Sequence, residues 1–144
     1  MFPIVRVLIG LVFLISGFEK LLGPYQNFAY VLEAYQIFPP WAQDLTARIF
    51  PWVELFTGLF AVLGLWGRTA LTVGMMMCSV FILIVGQALL RGLPIDQCGC
   101  FGELIHIAPK NIILFDSVLL LLTAWLLRYP SKIEIFSLDR YFSR

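Results

Sequence analysis

Residues 69–90 read TALTVGMMMCSVFILIVGQALL and contain no charged side chain. About 20 apolar residues, each adding about 1.5 Å of helix, cross the hydrocarbon core of a bilayer, which is roughly 30 Å thick. This stretch therefore predicts a membrane-spanning helix. Three more apolar stretches of similar length lie at 3–22, 50–66 and 111–127. Together the four stretches predict an all-α fold, an integral membrane four-helix bundle.

The composition agrees with a chain that is mostly embedded in lipid. Hydrophobic residues make up 60% of it and charged residues 13%, about half of the roughly 25% usual in soluble domains. The mean hydropathy is +0.90. The net charge of +1 gives no electrostatic basis for binding nucleic acid. The lipid bilayer is therefore the first partner that the sequence predicts.

The first apolar stretch is predicted to remain in the protein as helix 1. A signal-peptide core has about 7–15 residues, whereas 3–22 is longer, and no Ala-x-Ala-like cleavage site follows it. Residues 1–130 are thus expected to form a single four-helix membrane domain. A short cytoplasmic tail is expected at 131–144.

Basic residues near the helix ends predict the orientation of the bundle. With four spans, both termini and the connection between helices 2 and 3 lie on one side. That side holds six basic residues: Arg6, Arg68, Arg128, Lys132, Arg140 and Arg144. The other side holds four, spread over longer loops: Lys20, Arg48, Arg91 and Lys110. The positive-inside rule then predicts that both termini are cytoplasmic and that the loop after helix 3 faces outward.

The loop between helices 1 and 2 contains an amphipathic helical stripe. Its apolar residues recur at i, i+3, i+4 and i+7: Phe28, Val31, Leu32 and Tyr35. Pro39 and Pro40 are expected to end this outer-face helix, and the loop is expected to reach about Arg48. Two placements are open, an anchor in the headgroup layer or a cap over the outer mouth of the bundle. The anchor is the simpler of the two.

Charged side chains inside the spans are expected to turn inward and pair, because a charge at the bilayer centre costs about 2.5–3.5 kcal/mol on insertion scales. One face of helix 1 carries a basic group at each end and glycines between them: Arg6, Gly10, Phe13, Gly17 and Lys20. Arg6 is expected to snorkel to the cytoplasmic headgroups. Glu19 lies about 100° around the helix from Lys20, so the partner of Lys20 is expected on another helix.

Three polar residues on the other helices are predicted to lie toward the same outer end as Lys20: Glu54, Gln87 and Asp116. In one interpretation these groups form a buried network that fixes the register of the helices. In the other, they line a pocket that tunes or relays protons for thiol chemistry. The second interpretation is favoured because the cysteine-containing loop lies at that end too.

The loop after helix 3 contains DQCGCFGE at 96–103, in which one glycine separates Cys98 from Cys100. A disulfide needs Cα atoms about 4.4–6.8 Å apart, and Gly99 permits the backbone bend that this distance requires. Small strained rings are easily reduced, so the pair is suited to passing a disulfide to another protein. We therefore predict that Cys98 and Cys100 are the catalytic residues.

Two other interpretations of the cysteine pair are weaker. A static disulfide that closes so short a ring would add little stability. A metal site would combine the pair with His106 and with Asp96 or Glu103, but the spacing is not that of structural zinc sites, and no metal is predicted. Cys78 lies in the middle of helix 3, on the face opposite Gln87, and is expected to be a buried small hydrophobe.

The chain resembles the MauE/DoxX group of four-helix membrane proteins. Three elements that span most of the length carry the resemblance: Arg6…Gly10…Ser16-Gly17…Lys20 in helix 1, Glu54-x-x-x-Gly58 in helix 2, and Cys98-Gly99-Cys100-Phe101-Gly102 before Asn111 and Asp116. The resemblance implies a redox-associated protein. MauE is linked to disulfide formation in the small subunit of methylamine dehydrogenase, and DoxX relatives are linked to thiosulfate–quinone or oxidative-stress systems.

The predicted function is thiol–disulfide exchange between Cys98–Cys100 and an extracytoplasmic thioredoxin-like or cysteine-rich partner, in the bacterial cytoplasmic (inner) membrane. Lys20, Glu54 and Asp116 are expected to shape the pocket beneath the cysteines. Two alternatives stay open: a small membrane transporter or permease component, and a non-enzymatic assembly subunit of a redox complex. No cofactor follows from these residues. Quinone binding stays open, as does an enzymatic role as a thiol–disulfide oxidoreductase.

Overall fold

The computed structural model describes residues 2–94 and 109–129, which form five α-helices. They are α1 (Phe2–Leu22), α2 (Tyr25–Ala34), α3 (Pro40–Leu63), α4 (Gly67–Leu90) and α5 (Pro109–Leu127). Four of them, α1, α3, α4 and α5, are long and apolar enough to cross a membrane. The chain is therefore a multi-pass membrane protein, and the predicted all-α fold with four spans is confirmed.

The second span begins at Pro40 rather than at residue 50. Pro40 lies in the first turn of α3, where a proline loses no helical hydrogen bond and its fixed φ suits the helix. Because α2 already ends at Ala34, Pro39 and Pro40 do not end it, and no loop extends to Arg48. Both expectations were wrong, since a proline pair can follow one helix or begin the next, and the sequence pattern does not distinguish the two.

Residues with positive φ mark the two ends of α4. Gly64 (φ 70°) ends α3 and Trp66 (φ 47°) precedes α4. This short connection makes the two helices antiparallel neighbours. At the other end Gly92 has a φ of 66°, and the amides of Gly92 and Leu93 donate to carbonyls in the last turn of α4 in the Schellman pattern. The chain thus leaves α4 through a defined cap.

Glycines bring α1 and α3 into close contact. A Cβ atom at Gly58 would overlap the backbone nitrogen of Leu14, and one at Gly17 would lie 2.6 Å from the backbone nitrogen of Leu55. The two backbones therefore nearly touch, which small residues permit in membrane helices. α4 packs on α3 and α5, whereas α1 and α5 share the smallest of the four seams between neighbouring membrane-spanning helices.

The predicted inward face of helix 1 is buried along its whole length, including both basic ends. Lys20 is 6% exposed and Arg6 is 1% exposed. The expectation that Arg6 snorkels to the headgroups was therefore wrong. Arg6 and Gly10 lie on the same face of α1, so the rotation that turns the glycines toward α3 also carries Arg6 into the bundle.

α2 covers the end of the bundle where α1 and α4 end and α5 begins, which we call the Lys20 end. Its apolar stripe faces inward, since Phe28, Leu32 and Tyr35 are only 7%, 4% and 1% exposed. These side chains pack on residues of α3, α4 and α5. Tyr30, on the opposite face of α2, is 69% exposed. The stripe thus caps the bundle, which is the second of the two predicted placements.

We expect Leu32→Ala to lower the free energy of unfolding by about 2 kcal/mol, because truncating a buried leucine leaves a cavity. Leu90→Ala removes the same atoms from a residue that is 91% exposed, so we expect a change of less than about 0.5 kcal/mol. Chemical unfolding in detergent micelles, followed by circular dichroism, measures both variants. Equal losses would show that α2 does not stabilise the bundle as a cap.

Candidate functional site

A buried ion pair joins α1 to α3 at the Lys20 end. The Lys20 ammonium donates one hydrogen bond of 2.7 Å to Oε2 of Glu54 and another of 2.7 Å to Oγ of Ser16. The side chains of Lys20 and Glu54 are only 1% and 5% exposed. The expectation that Lys20 pairs with another helix is confirmed.

Ser16 is the third member of this polar cluster. Its Oγ accepts the hydrogen bond from Lys20 and lies 3.5 Å from both carboxylate oxygens of Glu54, toward which its hydroxyl donates. Sequence reasoning gave Ser16 no role of its own. The available signal was its position four residues before Lys20, which places both side chains on one face of α1.

The local sequence explains why these charged groups meet. Gly17 lets α3 approach so closely that a Cβ atom there would lie 2.8 Å from the carbonyl oxygen of Pro51. Glu54 follows Pro51 by three residues and therefore lies on the same side of α3. From α2, the ring centroid of Phe28 lies 5.6 Å from Nζ of Lys20, within the range of a cation–π interaction. The ammonium is thus enclosed by three helices.

A cavity of about 30 Å³ lies beside the ion pair, between α1, α3, α4 and α5. Its polar lining takes one residue from each of these helices: Ser16, Glu54, Cys78 and Asp116. The rest of the lining is apolar. A space of this size holds about two water molecules. The bundle therefore contains a small cavity at which polar groups from four helices meet.

Asp116 faces this cavity from α5 and is half-buried. It is within electrostatic reach of Glu54 and Lys20. No basic side chain within residues 2–94 and 109–129 forms an ion pair with it. Three of the residues singled out in the sequence, Lys20, Glu54 and Asp116, are therefore brought together from three different helices.

Cys78 also lines the cavity. It is 3% exposed, as expected for a buried cysteine, but its surroundings include two carboxyl groups. Sequence reasoning compared Cys78 only with Gln87 on the opposite face of the helix. Phe81, three residues further and on the same face, also lines the cavity. The spacing of three residues places Cys78 and Phe81 on a common face of α4. It does not determine the rotation of α4 about its axis, which turns this face toward Glu54.

Gln87 does not reach the ion pair. Its Nε2 donates a hydrogen bond of 3.2 Å to the carbonyl oxygen of Tyr35, and its Oε1 accepts one of 3.3 Å from Arg91. It thus ties α4 to the segment that follows α2. Burial, and secondly the negative charge of Asp116, raise the pKa of Tyr35 to about 12. The buried phenol therefore keeps its proton throughout the physiological range.

Cys98 and Cys100, the predicted catalytic residues, lie outside the described residues. The same holds for three other residues considered as metal ligands: Asp96, Glu103 and His106. The segment 95–108 that carries them is attached to the end of α4 and the beginning of α5, at the Lys20 end. Within the two described ranges, no group of three or more His, Cys, Asp or Glu side chains is arranged to hold a metal ion.

Comparison with known proteins identifies the family. The family model described as Methylamine utilisation protein MauE matches residues 1–129. No curated protein and no solved structure matches the chain. The matched residues include the described helices, the Lys20–Glu54 pair, the cavity and both Cys98 and Cys100. Because the match covers nearly the whole length and agrees with the MauE part of the sequence resemblance, the chain belongs to the MauE family.

Proposed function

We propose that the protein is a thiol–disulfide redox protein of the membrane, in which Cys98 and Cys100 exchange electrons with an extracytoplasmic partner. The partner is a thioredoxin-like or cysteine-rich protein. The observation that carries the proposal is the buried Lys20–Glu54 pair with its cavity, at the end of the bundle to which the cysteine segment is attached. Ionisable groups inside membrane helices are costly and by default mark a functional site.

The exchange proceeds through a mixed disulfide. The thiolate of one cysteine attacks a disulfide of the partner, forms a new S–S bond with one partner sulfur and releases the other as a thiolate. The second cysteine then attacks the mixed disulfide, which closes the Cys98–Cys100 ring and leaves the partner reduced. Two electrons pass to the partner, and two protons lost by the pair are balanced by two taken up by the partner thiols. The reverse sequence passes a disulfide to the partner.

In this proposal the polar residues at the Lys20 end shape the pocket beneath the cysteines and relay the protons: Lys20, Glu54, Gln87 and Asp116. The contacts that support it are the 2.7 Å ion pair, the shared cavity and the hydrogen bond that holds Gln87 at the end of α4. The cavity, which holds about two water molecules, is too small for a quinone ring. No step is therefore assigned to a quinone.

The proposed orientation puts both termini and the tail at 131–144 on the cytoplasmic side of the bacterial inner membrane. The count of six basic residues against four supports it under the positive-inside rule. Among the described residues, Arg68 and Arg128 are exposed at the end opposite Lys20, and Arg91 and Lys110 are exposed at the Lys20 end. At the Lys20 end, Lys20 and Arg48 are paired with acidic residues. The cysteines then face a compartment in which disulfides persist.

We expect Cys98→Ser and Cys100→Ser each to abolish net disulfide transfer, because a single sulfur cannot close the ring. One of the two variants should accumulate the mixed disulfide with the partner, since its resolving thiol is missing. Acid quenching of intact cells, alkylation and non-reducing separation followed by mass spectrometry would detect the trapped species. The same measurement would name the partner.

Sidedness is measured by alkylating intact cells with a membrane-impermeant reagent. Cys78, which is 3% exposed, serves as the internal reference thiol that stays unlabelled in the folded protein. Three results contradict the proposal: a pair that is always reduced, a pair that reacts only from the cytoplasmic side, or unchanged redox states of all associated thiol proteins in both serine variants.

A further inference from the structure

The cavity beside the ion pair has more negative than positive groups around it. Glu54 and Asp116 contribute two carboxyls, whereas Lys20 is the basic side chain near them in the described part of the chain. Its ammonium lies 2.7 Å from Oε2 of Glu54, so its charge is engaged there. A second carboxylate in apolar surroundings is unfavourable unless a cation compensates it. The cavity is therefore short of one positive charge.

We propose that the cavity is a proton-binding site in which the carboxyl of Asp116 takes up and releases a single proton. Uptake converts the carboxylate to a neutral carboxyl, release returns the proton to water in the cavity, and no other bond changes. The Lys20–Glu54 pair forms one wall of the site. The inference deepens the proposed function and rests on it for the use of the proton, because oxidation of Cys98 and Cys100 to a disulfide releases protons.

The size and lining of the cavity select a proton over a metal cation. A hard cation such as Ca²⁺ takes six to eight oxygen ligands, whereas a cavity of about 30 Å³ holds about two water molecules. Among the described lining residues, Ser16 supplies a hydroxyl and Glu54 is already bonded to Lys20. Apolar side chains such as Phe13 and Leu119 form much of the remaining wall.

Titratable groups face Asp116 from each element packed around it: Lys20 on α1, Tyr35 after α2, Glu54 on α3 and Cys78 on α4. Tyr35 keeps its proton, because its pKa is raised to about 12. Lys20 and Glu54 are held in their ion pair. Cys78 belongs to the cavity wall, so a Cys78→Ala background tests whether the thiol contributes to the signal assigned to Asp116.

The experiment is an infrared titration of the purified full-length protein in lipid nanodiscs. A protonated carboxyl gives a C=O stretching band that moves in D₂O and disappears when the proton leaves. The other carboxyl groups of the protein give bands of the same kind, so the Asp116 band is identified by comparing variants. We expect it in the native protein and in Cys78→Ala, and we expect it to be absent in Asp116→Asn. Asp116→Glu keeps a carboxyl at this position and should retain a titrating band. This variant therefore distinguishes loss of the carboxyl group from misfolding caused by a substitution at residue 116.

Asp44→Asn is the matched control. Asp44 forms an exposed ion pair of 3.1 Å with Arg48 and is not part of the cavity lining, so its replacement should leave the Asp116 band unchanged. Three results overturn the proposal: a band that persists in Asp116→Asn, a band that disappears in Asp44→Asn, or a band that is removed by Na⁺ at constant pH. The last result would identify a metal cation, not a proton, as the ligand.

The link to thiol chemistry is tested separately by titrating the protein in dithiol and disulfide redox buffers. We expect the midpoint of the band to differ between the two buffers in the native protein and to be the same in Cys98→Ser/Cys100→Ser. The band itself should persist in that double variant. If the native protein shows the Asp116 band but no thiol exchange, the proposed function is refuted and the proton site is not. If the native protein exchanges thiols but lacks the Asp116 band, the proton site is refuted and the proposed function is not.

Discussion

Lys20→Met is expected to lower the free energy of unfolding by about 3–5 kcal/mol, the cost of removing one partner from a buried ion pair. In the native protein the Lys20 ammonium lies 2.7 Å from both Glu54 and Ser16. Without it, Glu54 and Asp116 face one largely apolar cavity with no cation between them. Equilibrium unfolding in detergent micelles, followed by tryptophan fluorescence, measures the loss.

Lys110→Met is the matched control for this prediction. Lys110 is exposed at the beginning of α5, so its replacement should change the free energy of unfolding by less than about 0.5 kcal/mol. The double variant Lys20→Met/Glu54→Met should recover most of the loss, since replacing both members of a buried pair by apolar groups is often neutral. A loss in Lys20→Met no larger than that in Lys110→Met would contradict the importance of the pair.

Gly58→Leu is expected to destabilise the bundle by more than about 3 kcal/mol, at or beyond the upper end of the usual cost of overpacking. Even the first carbon of the new side chain would overlap the backbone nitrogen of Leu14. Backbone atoms cannot turn aside as a flexible side chain can, so α1 and α3 must separate. That separation would also lengthen the contact between Lys20 and Glu54. Thermal unfolding in the same micelles measures the effect.

Gly86→Leu provides the matched control in α4. Apart from its two chain neighbours and the nearby backbone of α4, no atom of the described residues lies within 4 Å of a Cβ placed at Gly86. Because leucine favours the helix over glycine by several tenths of a kcal/mol, this variant should be as stable as the native protein or slightly more stable. Equal destabilisation by the two substitutions would show that the close approach of α1 and α3 does not hold the fold together.

Much of the fold could be predicted because length and periodicity determine it. An uncharged run such as 69–90 has few folded alternatives in a membrane, and the glycine face of helix 1 indicates a close helical neighbour. The beginning of α3 could not be predicted in the same way. Gln43 and Asp44 interrupt the apolar pattern, and Pro40 begins a helix as readily as it follows one.

The sequence predicted which charged residues belong to the candidate site. It did not predict which of them would pair with Lys20. Lys20 needed a partner at its own depth, but Glu54, Gln87 and Asp116 all met that condition. The choice depends on how each helix is rotated about its axis. Rotation turns Glu54 toward Lys20 and leaves Gln87 bonded to the backbone of Tyr35. The expectation that Arg6 reaches the headgroups was wrong for the same reason, because it used the depth of Arg6 in the membrane and not the rotation of α1.

The distance along the chain between Lys20 and Glu54 also has a consequence for biosynthesis. The two residues are 34 positions apart, so a ribosome that adds about 5–20 residues per second completes Glu54 roughly 2–7 s after Lys20. During that interval α1 carries the ammonium group of Lys20 without its acidic partner Glu54. Stable burial of this helix must therefore wait for the third, and the translocation machinery has to shelter the lysine until both helices have emerged.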